Sequence, residues 1–296
     1  MEWRGVIPAI TTQFNDDLTI DHDFIAKHVT WQVESGCTGI MALGSLGEGA
    51  TLSYDEKLAI LKTCVDAVGD RVPIVAGISS LSTAESVQLA KGAEKIGCSG
   101  LMVLPAYVYK GDWRETRAHF EAVFQATPLS CMLYNNPIAY IVDVLPEQLA
   151  DLVERNPNLD SVKESSTDVR RVTAIRHLLG NRIAIFVGVD DAIVEAIHQG
   201  AVGWIAGLVN AFPKESVDLF NLCMECKHDE ADALYKWFLP LLKLDVVPKF
   251  VQLIKLTQQE VGMGAERVRP PRLELVGSER EAALAVIRKG IAERPA

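Results

Sequence analysis

The sequence predicts an α/β fold, a (β/α)8 TIM barrel with additional C-terminal helices, on three observations. Eight short β-branched apolar runs are each followed by a longer amphipathic stretch. The runs are apolar almost throughout, as parallel strands covered by helices are. No Gly-x-Gly-x-x-Gly follows the first run, where Ala9-Ile10-Thr11-Thr12 stands instead, against a dinucleotide fold. Eight units favour a closed barrel over an open doubly wound sheet.

In order, the expected strands cover residues 6–11, 39–43, 72–78, 100–104, 130–134, 159–163, 183–187 and 203–206. The stretch 84–96 shows why the intervening segments read as helices. Leu89, Ala93 and Ile96 recur at helical spacing, with Lys91, Glu94 and Lys95 on the other side. Expected caps are Ser53 before Asp55-Glu56, Ser82 or Thr83 before Glu85, and Asp190 before Ala192. A helix near 214–227 follows the eighth strand. The expected division is a barrel over 1–227 and a helical extension over 228–296. In the extension Leu234, Phe238, Leu241 and Leu242 form an apolar stripe, and Arg269-Pro270-Pro271-Arg272 makes a break.

With 49% hydrophobic and 23% charged residues among 296, the chain has enough apolar material for a large core. Its net charge of -10 repels phosphate backbones and anionic membranes, so neither nucleic acid nor lipid is an expected partner. No run approaches the roughly 20 apolar residues of a membrane span, and no charged-then-apolar leader precedes the first strand. A cytoplasmic chain is the expectation. Its six cysteines read as reduced core residues, including the Cys223-Met224-Glu225-Cys226 pair, which has no second pair. The six histidines lack ligand spacing, so no metal is expected; no cofactor is expected either.

Barrel enzymes place reactive groups at the C-terminal strand ends and in the loops that follow. Strand 6 ends in Lys163-Glu164-Ser165-Ser166, strand 5 in Tyr134-Asn135-Asn136-Pro137, strand 2 in Gly44-Ser45-Leu46-Gly47-Glu48-Gly49, and strand 7 in Gly188-Val189-Asp190-Asp191. Alternation along Leu159-Asp160-Ser161-Val162-Lys163 points Lys163 inward. An apolar setting disfavours ammonium, and a free amine attacks a ketone to form an iminium. The plainer alternative is a lysine snorkelling to solvent or pairing with Glu164. Tyr134 sits one βα unit earlier, about 5 Å from Lys163 by ordinary strand spacing. Its phenol could shuttle protons as the carbinolamine forms and collapses; a tyrosine merely capping the core is the alternative. The three glycines around Ser45 let backbone approach a ligand and free amide donors for a carboxylate. A tight βα turn would use them too. Asp190-Asp191 reads as a helix cap rather than an acid–base pair.

Together, Gly44-Ser45-Leu46-Gly47-Glu48, Tyr134-Asn135-Asn136-Pro137 and Lys163-Glu164-Ser165-Ser166 resemble the dihydrodipicolinate synthase / N-acetylneuraminate lyase family, from about Gly5 to the C-terminal helices. The resemblance implies a class I Schiff-base lyase acting on a small 2-oxo acid, and a homotetramer built as a dimer of dimers. It makes Lys163 the Schiff-base residue, Tyr134 its proton shuttle and Ser45 the first hydroxyl of the family's Gly-Thr-Thr-Gly-Glu. The backbone amides of Ser45 and Leu46 would hold the substrate carboxylate. A tyrosine from a neighbouring subunit would complete the relay, with Tyr107 the best match and Tyr109 the alternative. The implied substrate-binding set is Ser45, Leu46, Gly47, Ala139, Gly188, Val189 and Ile205.

Two positions depart from the pattern. Leu46 replaces a second threonine, and Ala139 stands where synthases that bind aspartate semialdehyde carry an arginine. Without that guanidinium a second carboxylate loses a bidentate partner. Gly44–Gly49, the lysine motif with Asp168, Arg170 and Arg171, and Gly203-Trp204-Ile205-Ala206-Gly207-Leu208-Val209 look most like the branch that deaminates 1-pyrroline-4-hydroxy-2-carboxylate. The expected activity is that deamination. The alternatives are an aldolase of a 2-oxo-3-deoxy sugar acid, a 4-hydroxy-tetrahydrodipicolinate synthase condensing pyruvate with an aldehyde, or a non-catalytic sensor of a small acid.

Overall fold

The computed structural model describes residues 1–107 and 109–295. Its strands are β1 Gly5–Pro8, β2 Ile40–Ala42, β3 Ile74–Ile78, β4 Gly100–Val103, β5 Ser130–Asn135, β6 Leu159–Glu164, β7 Ala184–Val187 and β8 Gly203–Ala206. The barrel helices are α1 His22–Glu34, α2 Tyr54–Val68, α3 Thr83–Ile96, α4 Trp113–Phe124, the single turn α5 Pro137–Tyr140, α6 Pro146–Arg155, α7 Arg170–Leu179, α8 Ile193–His198 and α9 Pro213–Met224. Beyond them lie α10 His228–Leu242, α11 Phe250–Glu260 and α12 Gly277–Ala292.

All strand pairs are parallel, from β2 through β8, and β8 pairs with β1. A parallel bridge between Ala9 and Met41 joins the ends of β1 and β2 and closes the barrel. The fold is therefore the (β/α)8 barrel that the eight apolar runs foretold. Five strands, β1, β2, β3, β4 and β7, are one or two residues shorter than expected, and in β1 and β3 the local reason is plain. The first run stops at Pro8 because Thr11 N–H leaves the ladder and donates to the Asn210 side chain at 3.2 Å. The third begins at Ile74 because Pro73 has no N–H to give.

Ser53 caps α2 in a full capping box with Glu56, and Ser82, not Thr83, caps α3 by accepting from Glu85 N–H. Asp190 corrects an expectation. Its carboxylate caps no helix of its own; it accepts from Trp204 Nε1 and from the Gly207 and Leu208 amides, and so ties the end of β7 to the loop after β8. Five cysteines are buried as free thiols and Cys226 is exposed. No helix among the described residues is long and apolar enough to cross a membrane.

The C-terminal helices are pinned to the barrel mouth by a buried ion pair. Lys255 of α11 reaches Glu48 Oε1 at 2.8 Å and donates to Thr12 O at 2.7 Å, while Glu48 Oε2 accepts from Arg269 N–H. Both side chains are fully buried. Burial pulls the Lys255 ammonium down to about 8, against the attraction of Glu48. Removing one partner strands the other charge. Lys255→Met is expected to lower unfolding stability by about 3–5 kcal/mol in urea denaturation. Pairing it with Glu48→Gln should recover part of that loss. A single variant as stable as wild type would show that the pair does not hold the helices.

Candidate active site

The strand motifs converge on one cavity of about 590 Å³ at the C-terminal end of the barrel. Lys163, near the end of β6, is almost fully buried. Its neighbour in sequence, Glu164, does not pair with it, because that carboxylate accepts from Asn135 Nδ2 at 3.0 Å and Ser166 N–H at 2.6 Å. Lys163 therefore enters the cavity, as alternation along the strand requires. Burial pulls its pKa down to about 8, opposed by the carboxyls of Asp245 and Asp190. The free amine is thus within reach of neutral pH.

Tyr134 stands opposite Lys163 in the β5–β6 register. Lys163 Nζ lies 4.2 Å from the centre of the Tyr134 ring. Burial holds this phenol up at about 12, so it carries its proton at neutral pH, and its oxygen accepts from Asn136 Nδ2 at 3.0 Å. Gly188, just after β7, is required by the lysine stem: a Cβ there would lie 2.3 Å from Lys163 Cε.

The turn after β2 shows what its glycines do. A Cβ at Gly47 would meet Ile10 O at 2.9 Å, and one at Gly49 would meet Leu43 O at 2.3 Å. These two make room for neighbouring backbone rather than for a ligand, and Gly47 lies behind the cavity wall, its carbonyl held by Thr12 Oγ1. Gly44, Ser45 and Leu46 do line the cavity. Among the described residues neither the Ser45 nor the Leu46 amide donates to any acceptor, which leaves two N–H groups for a carboxylate.

The Ser45 hydroxyl hydrogen-bonds to the phenol of Tyr140 at the end of α5. The Tyr140 ring packs edge-on against Tyr134, with centroids 5.7 Å apart, and tilted against Tyr107 at 5.4 Å. Tyr107 thus lies beside its own chain's cavity, while Tyr109 is exposed and bonded to Glu115. Tyr140 was missed from sequence, although a tyrosine three residues after the Pro137 turn, at a strand's C-terminal end, was the available signal. Ala139, Val189 and Ile205 line the cavity too. So do Asp245 and Arg272, which no motif marked.

The description "Dihydrodipicolinate synthetase family" belongs to a family model that matches residues 2–289. A 4-hydroxy-tetrahydrodipicolinate synthase of Bartonella quintana (strain Toulouse) is 30% identical over 273 residues, covering 92% of this chain and 92% of the relative. The solved 4-hydroxy-tetrahydrodipicolinate synthase of Methylacidiphilum fumariolicum SolV superposes with a TM-score of 0.93 at 29% identity, over 99% of this chain and 98% of that one. A chloride-inhibited dihydrodipicolinate synthase of Acinetobacter baumannii, solved in complex with pyruvate, gives 0.92 at 27% identity over 97% and 98%.

Proposed function

The chain belongs to the dihydrodipicolinate synthetase family and is a Schiff-base lyase of that kind, and from this premise we propose that it holds pyruvate as an imine on Lys163 and joins it to an aldehyde. The observation that carries the proposal is a buried lysine with a lowered pKa, 4.2 Å from the ring of a protonated phenol. In this reading the Lys163 amine attacks the ketone and Tyr134 moves the proton that lets water leave. The Ser45 and Leu46 amides take the carboxylate. Loss of a proton from the carbon beside the imine gives an enamine, and that carbon attacks the aldehyde.

Condensation is favoured over the deamination expected from sequence on two grounds. The relatives are named as synthases, and the cavity contains a cation despite the alanine at 139. Arg272 lines it and forms no ion pair among the described residues, so it can receive a carboxylate on the aldehyde partner. Deamination of 1-pyrroline-4-hydroxy-2-carboxylate is kept as the second reading because Ala139 and Leu46 leave the cavity wall without a guanidinium or a second hydroxyl at those positions.

Borohydride reduction with pyruvate, followed by peptide mass analysis, is expected to mark Lys163. Aspartate semialdehyde should then consume pyruvate in a coupled assay. Ammonia release from the cyclic imino acid, with no pyruvate consumed by any aldehyde, would reverse the order of the two readings. Absence of any adduct would remove the imine from both.

A further inference from the structure

Lys163 is approached from two sides of the barrel. Tyr134 comes from β5, its neighbour in register. On the other side the loops after β7 and β8 carry Gly188 and Gly207 in place of side chains. A Cβ at Gly188 would strike the lysine stem, and a Cβ at Gly207 would lie 2.0 Å from Asp245 Oδ1. These two bare positions leave room for the lysine stem and for the Asp245 carboxyl, and both residues line the cavity. Asp245 itself comes from the 3-10 turn Lys243–Asp245, after α10.

Its neighbour Asp190 is fully committed, with both oxygens accepting from Trp204 Nε1 and the Gly207 and Leu208 amides. Asp245 Oδ1 is equally hidden from solvent but has no hydrogen-bond partner among the described residues. A buried polar atom left unmatched is destabilising, and such orphans are uncommon in folded chains. The Asp245 side chain also lines the cavity that Lys163 enters, so its carboxyl is placed to meet a ligand there.

We infer that Asp245 is a further catalytic residue, which takes a proton from the carbon beside the Lys163 imine and returns it. The inference rests on the imine reading above. When the iminium forms, the Asp245 carboxylate removes a proton from that carbon. The C–H electron pair becomes the C=C bond of the enamine, and the C=N π pair moves onto nitrogen; the reverse step returns the proton to carbon. Burial, and repulsion from Asp190, raise the Asp245 carboxyl well above the usual range, so its conjugate base is a stronger acceptor than an exposed aspartate. The positive iminium stabilises that base at the moment it is needed. Tyr134 then serves imine formation and Asp245 serves carbon, which divides two proton transfers between two groups.

Pyruvate alone tests this, without knowledge of the aldehyde. In D2O an enzyme that forms the enamine exchanges the pyruvate methyl protons, which NMR follows, while borohydride trapping reports imine formation. Asp245→Asn keeps the shape of the side chain and removes the base. At about pH 9, where the Lys163 amine is free with or without the Asp245 charge, it is expected to trap pyruvate within about threefold of the wild-type rate, which also shows that the variant is folded. Its methyl exchange should fall by roughly 10²-fold or more, and Asp245→Glu should restore part of it. Exchange within threefold of wild type in the asparagine variant overturns the assignment. A parallel fall of trapping and exchange also overturns it, since that would make Asp245 a support for the lysine only. Failure of the wild type itself to trap pyruvate sinks the imine reading, and the inference with it.

Discussion

Lys163→Ala should abolish both borohydride trapping and turnover, with folding left intact. A covalent route that begins at one nitrogen has no partial form, so the variant forfeits the route rather than a fraction of its rate. Among the described residues no other amine lines the cavity, and Lys255, the other buried lysine near the mouth, is committed to Glu48 and Thr12 O. Stability should change little, because truncation loses packing but also removes an amine that burial disfavours. The wild-type pH profile is part of the same expectation. Only the free amine attacks, and its pKa is lowered to about 8. Trapping should therefore rise by about tenfold per pH unit below that value and level off above it. A normal surface lysine would still be climbing near pH 10. Persistent trapping of pyruvate in the alanine variant, by mass at another residue, would displace Lys163 from the mechanism.

Much of this was legible in the sequence because it is periodic or local. The strand runs gave the barrel, since a buried parallel strand is apolar on both faces. The rule that barrel chemistry gathers at C-terminal strand ends then turned Lys163 and Tyr134 from scattered residues into neighbours, and the β5–β6 register pairs them. What stayed hidden depends on long-range placement. Asp245 lies in an irregular turn after α10, and nothing in Lys243-Leu244-Asp245 indicates that this turn folds over Gly207. Lys255 left a weak trace, as a cation among the buried Val251, Ile254 and Gln258 of α11. Its partner Glu48, 207 positions earlier, could not be named without the fold. Asp190 shows the reverse error. A carboxylate before a short helix reads as a cap, yet its side chain turned to three donors in β8 and the loop after it.

Tyr134→Phe should slow imine formation by roughly 10²- to 10⁴-fold, the usual worth of a positioned acid–base group. The substitution is well matched to the question. The ring is packed edge-on against Tyr140 and lies beside Lys163 Nζ, so phenylalanine keeps the wall of the cavity and deletes one oxygen. That oxygen is the proton carrier closest in register to the amine, and at about 12 its pKa keeps it protonated and able to donate to the leaving hydroxyl of the carbinolamine. Among the described residues, the protein group that loses a 3.0 Å hydrogen bond is Asn136 Nδ2. A loss of this size cannot come from that one hydrogen bond, whose net worth is about 0.5–1.5 kcal/mol, or at most about a tenfold change. The rate of trapping with pyruvate, rather than its final yield, is the quantity to measure. Slow but complete labelling of Lys163 would place the phenol in proton transfer. A variant that traps as fast as wild type would leave the tyrosine as packing, and would pass the proton to the Tyr140–Ser45 pair on the far side of the same ring.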